Sequence, residues 1–479
     1  MNYPIIGYIL GWVLLFESAF MTLPCVTALI YREKEGWAFL WVMIACAVIG
    51  FLITRRKPKN QVYFAREGFV TVALSWIVMS AFGAAPFVLN GDIPSPTDAL
   101  FETISGFTTT GASILSNVEG LSQCSLLWRS FTHWIGGMGV FVFLLAILPM
   151  TGGYNMHLMR AESPGPSVGK IVPRVRDTAK ILYGIYIFMT IVEVVLLLIA
   201  GMPVFDAVAT SFGTAGTGGF GIKNDSMAGY SILIQGIVTV FMILFGVNFN
   251  AYYFLLGKHK KEAFKMEEVH WYFGIIAVCI LIITWNIRGA FGSLFLAFHE
   301  AAFQVGSIIT TTGFATANFD LWPQLSRTIL VVIMFVGACA GSTGGGIKVS
   351  RIVILLKTVK QEMGYFIHPR SVKVIKMDDK ALDKSTVRSV SAFLVTYVII
   401  FGVSMLILAF DELDMVTNFT AIAATFNNIG PGLELVGPSG NYGMFTPLAK
   451  YVLMFDMLAG RLEIYPILLL FAPSVWKKN

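Results

Sequence analysis

Charged residues are scarce in this chain of 479 residues. Asp, Glu, Lys and Arg make up 13% of it, and hydrophobic residues make up 56%, whereas a soluble domain carries about 25% charged residues. Such an apolar excess cannot be hidden inside one water-soluble core of this size. The scarcity of charge therefore excludes a disordered chain and an ordinary cytosolic enzyme, and it favours a protein that crosses a membrane several times.

Residues that commonly bind metals or perform covalent catalysis are also few. The five cysteines are isolated, without a CxxC pair, and the six histidines are dispersed. Zinc and redox sites need such residues in clusters, so the pattern excludes a disulfide-stabilised secreted domain. It also argues against a membrane-embedded enzyme, the alternative from another functional class. His133, beside Trp134, is expected to be a packing residue, with a proton relay as the alternative.

Stretches without charge predict the membrane spans. Ten spans are predicted, three of them with isolated charges: residues 4–30, 36–54, 68–91, 130–159, 181–201, 226–257, 269–287, 328–347, 389–410 and 446–471. Most of the 34 Lys and Arg residues lie in five segments, 55–66, 160–180, 258–265, 348–388 and 477–478. Because positive charge accumulates on the cytoplasmic side, both termini are expected in the cytoplasm. The net charge of +6 then reflects topology and gives no reason to expect a nucleic-acid partner.

Four further apolar segments are too short to cross a membrane. They cover residues 97–107, 204–214, 294–309 and 415–426, and an acidic residue lies near the start of each, namely Asp98, Asp206, Glu300 and Asp414. The loops that follow are rich in Thr, Asn and Gly and are aligned as Thr108–Gly111, Ala215–Gly218, Thr310–Gly313 and Asn427–Gly430. This pattern returns about every hundred residues. It predicts four repeats of span, short helix, loop and span, which run in the same direction around a central pore.

The chemistry of these loops suits a cation filter. A cation that leaves water needs oxygen ligands, and rings of backbone carbonyls supply them in filters. Glycine allows the unusual backbone dihedrals and the close approach that such loops require. A short helix that points its C-terminal end at the pore adds partial negative charge. Composition and spacing do not distinguish potassium from sodium.

A second glycine-rich segment interrupts the predicted span 328–347. Residues 337–346 contain five glycines together with Ser342 and Thr343, and each glycine in a helix costs about 1 kcal/mol relative to alanine. Irregular backbone at membrane depth must be buried in protein or line a cavity, so the segment is interpreted as a plug below the filter. A phosphate-binding loop is the alternative, but Gly346-Ile347-Lys348 lacks the Gly-Lys-Ser/Thr order.

Arg461 is the second candidate for the gate. An arginine inside a span costs about 2.5–3.5 kcal/mol, so Arg461 is expected to face a polar interior as a pore barrier. The alternative is a structural pair with Asp456 or Glu463. We hypothesise that Arg461 and the loop residues occlude the permeation path together; the loop residues are Gly341, Ser342, Thr343, Gly344, Gly345 and Gly346.

These motifs resemble those of the Trk/Ktr/HKT superfamily of potassium transporters. The resemblance rests on the four loops and on three other stretches, Arg160–Pro166 continuing to 173–179, Gly341–Lys348 and Gly460–Glu463. It implies an all-α integral membrane protein with four pseudo-symmetric helix–pore-loop–helix repeats around a central pore. An extra N-terminal transmembrane helix pair resembles the TrkH/TrkG branch. The implied domains are residues 1–60, 68–157, 178–257, 268–362 with the gate loop 337–348, and 385–472.

The resemblance also implies site residues. Potassium-coordinating carbonyls are expected at Thr109, Thr110, Gly111, Gly216, Thr217, Gly218, Thr311, Thr312, Gly313, Asn428, Ile429 and Gly430. Plant members that prefer sodium have serine at the first filter glycine, so glycine at Gly111 favours potassium. The fourth loop departs from the Thr pattern at Asn428 and Ile429, which leaves the ion-site geometry there open.

The function implied by the resemblance is potassium uptake without covalent chemistry. The transported ion is K⁺, and no organic cofactor is expected on this chain. The implied setting is the bacterial cytoplasmic (inner) membrane, where a lipid-embedded homodimer would bind TrkA-like cytosolic regulatory subunits, which in turn bind nucleotide. The basic segment 348–388 could contribute to such docking. A potassium/proton or potassium/sodium symporter on the same scaffold is the alternative.

Overall fold

The chain is almost entirely helical in the residues that the computed structural model describes, which are 1–58, 64–139, 175–257, 260–370 and 374–476. One antiparallel hairpin, of strands β1 (Lys376–Met377) and β2 (Lys380–Ala381), is the exception among them. The predicted all-α membrane fold is confirmed apart from this hairpin. The motif at Arg160–Pro166, and residues 140–159 of a predicted span, lie outside the described residues.

The helices follow one another in a regular order. In chain order they are α1 (Tyr3–Phe20), α2 (Thr22–Tyr31), α3 (Gly36–Thr54), α4 (Ala65–Asn90), α5 (Pro96–Phe107), α6 (Gln123–Gly137), α7 (Val175–Ile199), α8 (Val204–Gly216), α9 (Ile232–Phe245), α10 (Phe249–Leu256), α11 (Lys260–Ala263), α12 (Glu267–Ile287), α13 (Leu294–Ile309), α14 (Gln324–Val336), α15 (Val349–Ile367), α16 (Lys384–Leu408), α17 (Met415–Phe426), α18 (Pro447–Arg461), α19 (Tyr465–Leu470) and α20 (Pro473–Trp476). After α1–α3, four units repeat the order of long helix, short helix, loop and second helix.

The first three helices form a closely packed group beside the first unit. Helix α1 packs along α3, and Gly11 meets Gly50 where the two backbones approach each other. A Cβ at Gly50 would lie 2.8 Å from the carbonyl oxygen of Gly11. Small residues at a helix–helix contact are typical of membrane proteins, because they let the backbones pack closely.

The long first helix of each unit is continuous, whereas the helix that follows the loop is short or broken. Within the part of the chain that the structure describes, six helical segments are long and apolar enough to cross a membrane, and α9 with α10 makes a seventh if this pair, bent by 91°, is counted as one span. Of the ten predicted spans, 226–257, 328–347 and 446–471 are therefore broken helices, and the break in 328–347 falls at Gly337 as predicted. The breaks fall at residues that disfavour helix. Helix α9 ends before Gly246, and α14 ends before Gly337, whose φ is 73°.

The last unit breaks in the same manner. Helix α18 ends at Arg461, and the next residues Glu463 and Ile464 have left-handed φ values of 60° and 66°. Arg461, which was predicted to lie inside the span 446–471, is therefore in the last turn of α18, where this span is broken. Its side chain leaves the helix where the backbone turns, beside the other broken helices.

Candidate functional site

The four short helices α5, α8, α13 and α17 aim their C-terminal ends at the predicted loops. Three of them begin at a side chain that accepts a backbone N–H, which is the usual N-cap. These caps are Ser95, Ser293 and Asp414. The bounds agree with the predicted segments to within one or two residues. Helix α13 begins at Leu294 as predicted, and Glu300 lies six residues further on, outside the first turn of the helix.

The four loops share one hydrogen-bond pattern. In each loop one residue donates its N–H to the carbonyl three residues earlier, and the next residue donates to the carbonyl five residues earlier. The pairs of donors are Thr109 and Thr110, Thr217 and Gly218, Thr311 and Thr312, and Asn428 and Ile429. The first donor of each pair has a left-handed φ, of 56°, 53°, 61° and 56° respectively. We call residues 109–111, 217–219, 311–313 and 428–430 the ring loops.

A glycine with a left-handed φ ends each ring loop. The four ring glycines are Gly111, Gly219, Gly313 and Gly430, with φ values of 76°, 77°, 85° and 98°. The aligned residue in the second loop is therefore Gly219, whereas the sequence alignment chose Gly218. The alignment slipped by one residue because α8 continues through Gly216 and because Gly218 and Gly219 are adjacent.

Gly216 has a different place in the structure. It is the last residue of α8, and a Cβ there would clash with the backbone carbonyl of His133 in α6. The glycine thus permits close packing between α6 and α8. The register of the second ring loop is Thr217-Gly218-Gly219.

The four ring glycines form a closed circle. Each one contacts the loop that follows it in the chain, and the last one contacts the first loop. A Cβ at Gly111 would clash with the carbonyl oxygen of Gly218, and one at Gly219 would clash with that of Thr312. In the same way Gly313 faces the carbonyl of Ile429, and Gly430 faces that of Thr110. Each ring glycine thus lies against the carbonyl that precedes the ring glycine of the next loop. All four ring glycines also line one cavity, together with polar residues such as Ser113, Asn224 and Asn441.

The backbone strain at the ring is considerable. Thr109, Thr217 and Thr311 are β-branched residues in the left-handed region, where such residues are genuine outliers. Residues held in this way cost about 1–3 kcal/mol each and persist only where the surrounding structure fixes them. Asn428 occupies the fourth position with less strain, since Asn visits this region more readily.

A buried ion pair lies next to the first and second ring loops. Arg129 in α6 donates to Glu102 of α5, with Nη2 at 2.7 Å from Oε1. The second carboxylate oxygen accepts the N–H of Ile114 at 3.0 Å, and Arg129 Nη1 donates to the carbonyl of Gly221 at 3.2 Å. The pair thereby joins the segments that follow the first and second ring loops.

His133 joins the same two units. Its Nδ1 donates to the carbonyl of Gly106 at 2.7 Å, and its Nε2 accepts the N–H of Phe220 at 3.2 Å. The imidazole also packs on the Phe220 ring, with centroids 4.3 Å apart. Because both nitrogens are engaged by backbone groups, the geometry fits the packing interpretation of His133.

The predicted loss of helix at Gly337 is confirmed, since α14 ends at Val336 and α15 begins at Val349. We call residues 337–348 the glycine loop. It lies directly against the ring, because Gly345 donates its N–H to Thr311 Oγ1 at 2.6 Å. A Cβ at Gly344 would lie 2.8 Å from the carbonyl of Thr310, so only glycine fits this closely.

Arg461 ties the glycine loop to another unit. Its Nη1 donates to the carbonyl of Thr343 at 2.9 Å, and its Nη2 donates to the carbonyls of Gly136 and Gly137, the latter at 2.8 Å. The two acids of the alternative interpretation have partners elsewhere. Asp456 accepts from Ser404 Oγ at 2.9 Å, and Glu463 binds Arg351.

Two more basic side chains lie at the C-terminal end of the glycine loop. Lys348 is 2% exposed and donates to the carbonyl of Gly344 within the loop. Arg351, 6% exposed, donates to the carbonyl of Ile347 at 3.0 Å and binds Glu463. With Arg461, three basic side chains lie in or next to the loop, and Arg351 has an acidic partner in Glu463.

Sequence reasoning missed several residues that support the site. Arg129, Glu102 and Glu268 were not singled out, and Lys348 was considered only as part of the glycine-rich motif. A charged residue within an otherwise apolar helix was the available signal, and it applied to Glu102 in α5. The partners of these residues come from distant parts of the chain, which no local pattern reveals.

Comparisons with known proteins identify the family of the chain. The family model described as TrkH, cation transport protein, matches residues 37–478. The chain is 37% identical to the Trk system potassium uptake protein TrkH of Salmonella typhimurium over 492 aligned positions, which cover 100% of both chains. It is 32% identical to the Trk system potassium uptake protein TrkG of Escherichia coli, over 99% of this chain and 98% of the relative. The crystal structure of the potassium transporter TrkH from Vibrio parahaemolyticus superposes with a TM-score of 0.88, at 35% identity and 100% coverage of both chains.

Proposed function

The chain belongs to the TrkH family of cation transport proteins, and on that premise we propose that it carries potassium ions across a membrane through the ring loops. The observation that supports this most strongly is the closed circle of ring glycines and neighbouring carbonyls. Relatives of the chain are named potassium uptake proteins. The four short helices add the partial negative charge of their C-terminal ends at the ring.

In this proposal the ion ligands are backbone carbonyls of the ring loops. They are those of residues 109–111, 217–219, 311–313 and 428–430, with Gly219 in place of the earlier candidate Gly216. Carbonyl ligands do not depend on side-chain identity, so Asn428 and Ile429 can serve in the fourth loop. The strained backbone at Thr109, Thr217 and Thr311 is consistent with carbonyls that are held ready for an ion.

The glycine loop and Arg461 form the gate in this proposal. The loop touches the ring through Gly345 and Thr311, and Arg461 holds the loop through Thr343. A guanidinium close to the ion path repels cations as well as blocking it. Opening would require these hydrogen bonds to break and the loop to move away from the ring.

The surroundings of the protein are also part of the proposal. We infer a bacterial cytoplasmic membrane, with both termini in the cytoplasm, as the distribution of Lys and Arg suggests. A homodimer with TrkA-like nucleotide-binding subunits on the cytoplasmic face would control the gate. The hairpin β1–β2 and α15 belong to the basic segment that faces such a partner.

Proton or sodium coupling on the same scaffold is the second candidate. Glu17 in α1 is 2% exposed and Glu193 in α7 is fully buried, and intramembrane acids of this kind are typical of proton-coupled transporters. Potassium flux that follows the membrane voltage without proton or sodium movement would exclude this candidate. Flux that stops when the coupling ion is removed would establish it.

Growth rescue is the direct test of potassium uptake. A bacterium without its own potassium uptake systems should grow on low potassium when it expresses this chain with a regulatory subunit. The variant Gly111→Ser should lose this advantage when sodium is abundant, because serine at this ring position disturbs the carbonyl circle. Failure of the parent chain to rescue growth, despite expression in the membrane, would contradict the proposal.

A further inference from the structure

Glu268, in the first turn of α12, lies at the base of the glycine loop and is 5% exposed. Its Oε1 accepts the N–H of Ala340 at 2.6 Å and the N–H of Ser350 at 3.0 Å. Its Oε2 lies 3.4 Å from the Nδ2 of Asn248, which donates to it. One buried carboxylate thus has three donors from three separate segments.

The two backbone donors lie on either side of the glycine-rich residues 341–346. Ala340 precedes Gly341, and Ser350 follows in the first turn of α15. One carboxylate oxygen bonded to both N–H groups fixes the distance between the two ends. Hydrogen bonds to an ionised carboxylate are about twice as strong as neutral ones, and the N-terminal end of α15 adds a favourable dipole.

The third donor connects this clamp to the second unit. Asn248 lies in the bend between α9 and α10, where it caps α10. The same bend holds the glycine loop through backbone bonds, from Phe249 N–H to Gly341 at 3.0 Å and from Cys339 N–H to Gly246 at 3.1 Å. Glu268 therefore joins the bend and both ends of the loop at one point.

We infer that Glu268 is a positioning residue of the gate, whose carboxylate holds the glycine loop closed against the ring by clamping its two ends. This inference rests on the proposed function of the loop as a gate. Without the carboxylate, the ends of the loop separate more easily and the closed position loses stability. The hydrogen bonds of Glu268 within the described residues go to Asn248, Ala340 and Ser350 and not to a ring loop, so ion preference should stay as it is.

Rubidium uptake into proteoliposomes tests the clamp. Glu268→Ala should raise uptake roughly tenfold, because it removes hydrogen bonds to a charged group. Glu268→Gln should raise it only about threefold, since an amide oxygen still accepts both N–H groups without the charge. Preference for rubidium over sodium should be unchanged in both variants, which a general loss of structure would not allow.

The neighbouring residue supplies the matched control. Glu267 is in the same turn of α12, but its carboxylate binds Lys357 at 2.6 Å and is partly exposed. Glu267→Gln should change uptake by less than about twofold, as expected for an exposed ion pair. A rise equal to that of Glu268→Gln would overturn the inference, because the effect would then belong to the start of the helix in general.

Deletion of residues 341–346 separates this inference from the proposed gate. If the deletion raises uptake and neither Glu268 variant does, the gate stands and the clamp is wrong. If the deletion changes nothing, the gate itself is wrong. Should Glu268→Ala fail to fold, amide hydrogen exchange in Glu268→Gln decides: faster exchange at Ala340 and Ser350 than in the parent chain supports the clamp, and equal exchange overturns it.

Discussion

The ring loops and the glycine loop lie against each other but are built in opposite ways. The ring repeats one backbone conformation four times, and its ring glycines contact carbonyls of the next loop. The glycine loop occurs once, and it is held by its own Lys348 and by side chains from other segments, among them Arg461 and Glu268. In the proposed function, coordination of an ion thus depends on repeated backbone, whereas closure depends on a few single hydrogen bonds.

Because of this difference, the two regions should respond differently to substitutions. A change in one ring loop disturbs the contacts of two neighbours, because the circle closes through all four loops. A change in one bond of the glycine loop alters the balance between closed and open positions and leaves the ring intact. Selectivity should therefore respond to ring glycines, and flux should respond to the residues that hold the loop.

The largest effect is expected at a ring glycine. Gly313→Ala places a Cβ on a residue with φ of 85° and against the carbonyl of Ile429. Alanine at such a position strains the backbone by more than about 1 kcal/mol, and the clash with Ile429 adds to this strain. Potassium preference over sodium should therefore fall at least about tenfold, which corresponds to about 1.4 kcal/mol. Competition by sodium in rubidium uptake measures it.

Gly402→Ala is the control for that change. Gly402 lies in α16 with open space around it, so alanine there should leave uptake and preference unaltered. Equal loss of preference in both variants would show that the ring glycines have no special role.

The next effect is expected at Arg461. Arg461→Ala removes the bonds to Thr343, Gly136 and Gly137 together with the charge, and it should raise rubidium uptake roughly tenfold. Arg461→Lys keeps the charge but loses the planar fork that binds several carbonyls, so its uptake should lie between those of the parent chain and Arg461→Ala. Uptake by Arg461→Ala at the level of the parent would remove Arg461 from the gate.

The smallest effect tests how symmetric the ring is. The hydroxyl of Tyr442 donates to the carbonyl oxygen of Gly430 at 2.7 Å. The carbonyl of the fourth ring glycine therefore already accepts one hydrogen bond. Tyr442→Phe removes a hydrogen bond worth about 1 kcal/mol, so the preference for rubidium over sodium should shift by no more than about fivefold. Tyr451→Phe is the control, because the side chain of Tyr451 is exposed and its hydroxyl hydrogen-bonds to Thr97, away from the ring glycines. Identical behaviour of the two variants would assign Tyr442 no part in the ring.

The sequence predicted the parts of this site that local pattern controls. The short helices and the break at Gly337 follow from apolar length and from glycine, and both appear within two residues of the prediction. The register of the second ring loop did not follow, since Gly218 and Gly219 are indistinguishable in an alignment and only the left-handed φ of Gly219 separates them.

The local sequence pattern did not predict which residues far apart in the chain contact each other. Asp456 and Glu463 were the partners that the sequence suggested for Arg461. In the structure, Arg461 donates instead to backbone carbonyls of distant segments. Continuous spans were predicted where helices break, because the apolar run continues through Gly246 although the helix does not. Charge and hydropathy indicate that a residue is buried in the membrane, but they do not identify its partner.

One measurement tests the central claim most directly, namely that a ring of backbone carbonyls selects potassium and the glycine loop closes it. Rubidium uptake into proteoliposomes should be compared between the parent chain and the variant without residues 341–346, with unlabelled potassium or sodium as competitor. The account predicts higher uptake in the deletion variant, still inhibited by potassium and little affected by sodium. Unchanged uptake, or equal inhibition by both ions, would contradict it.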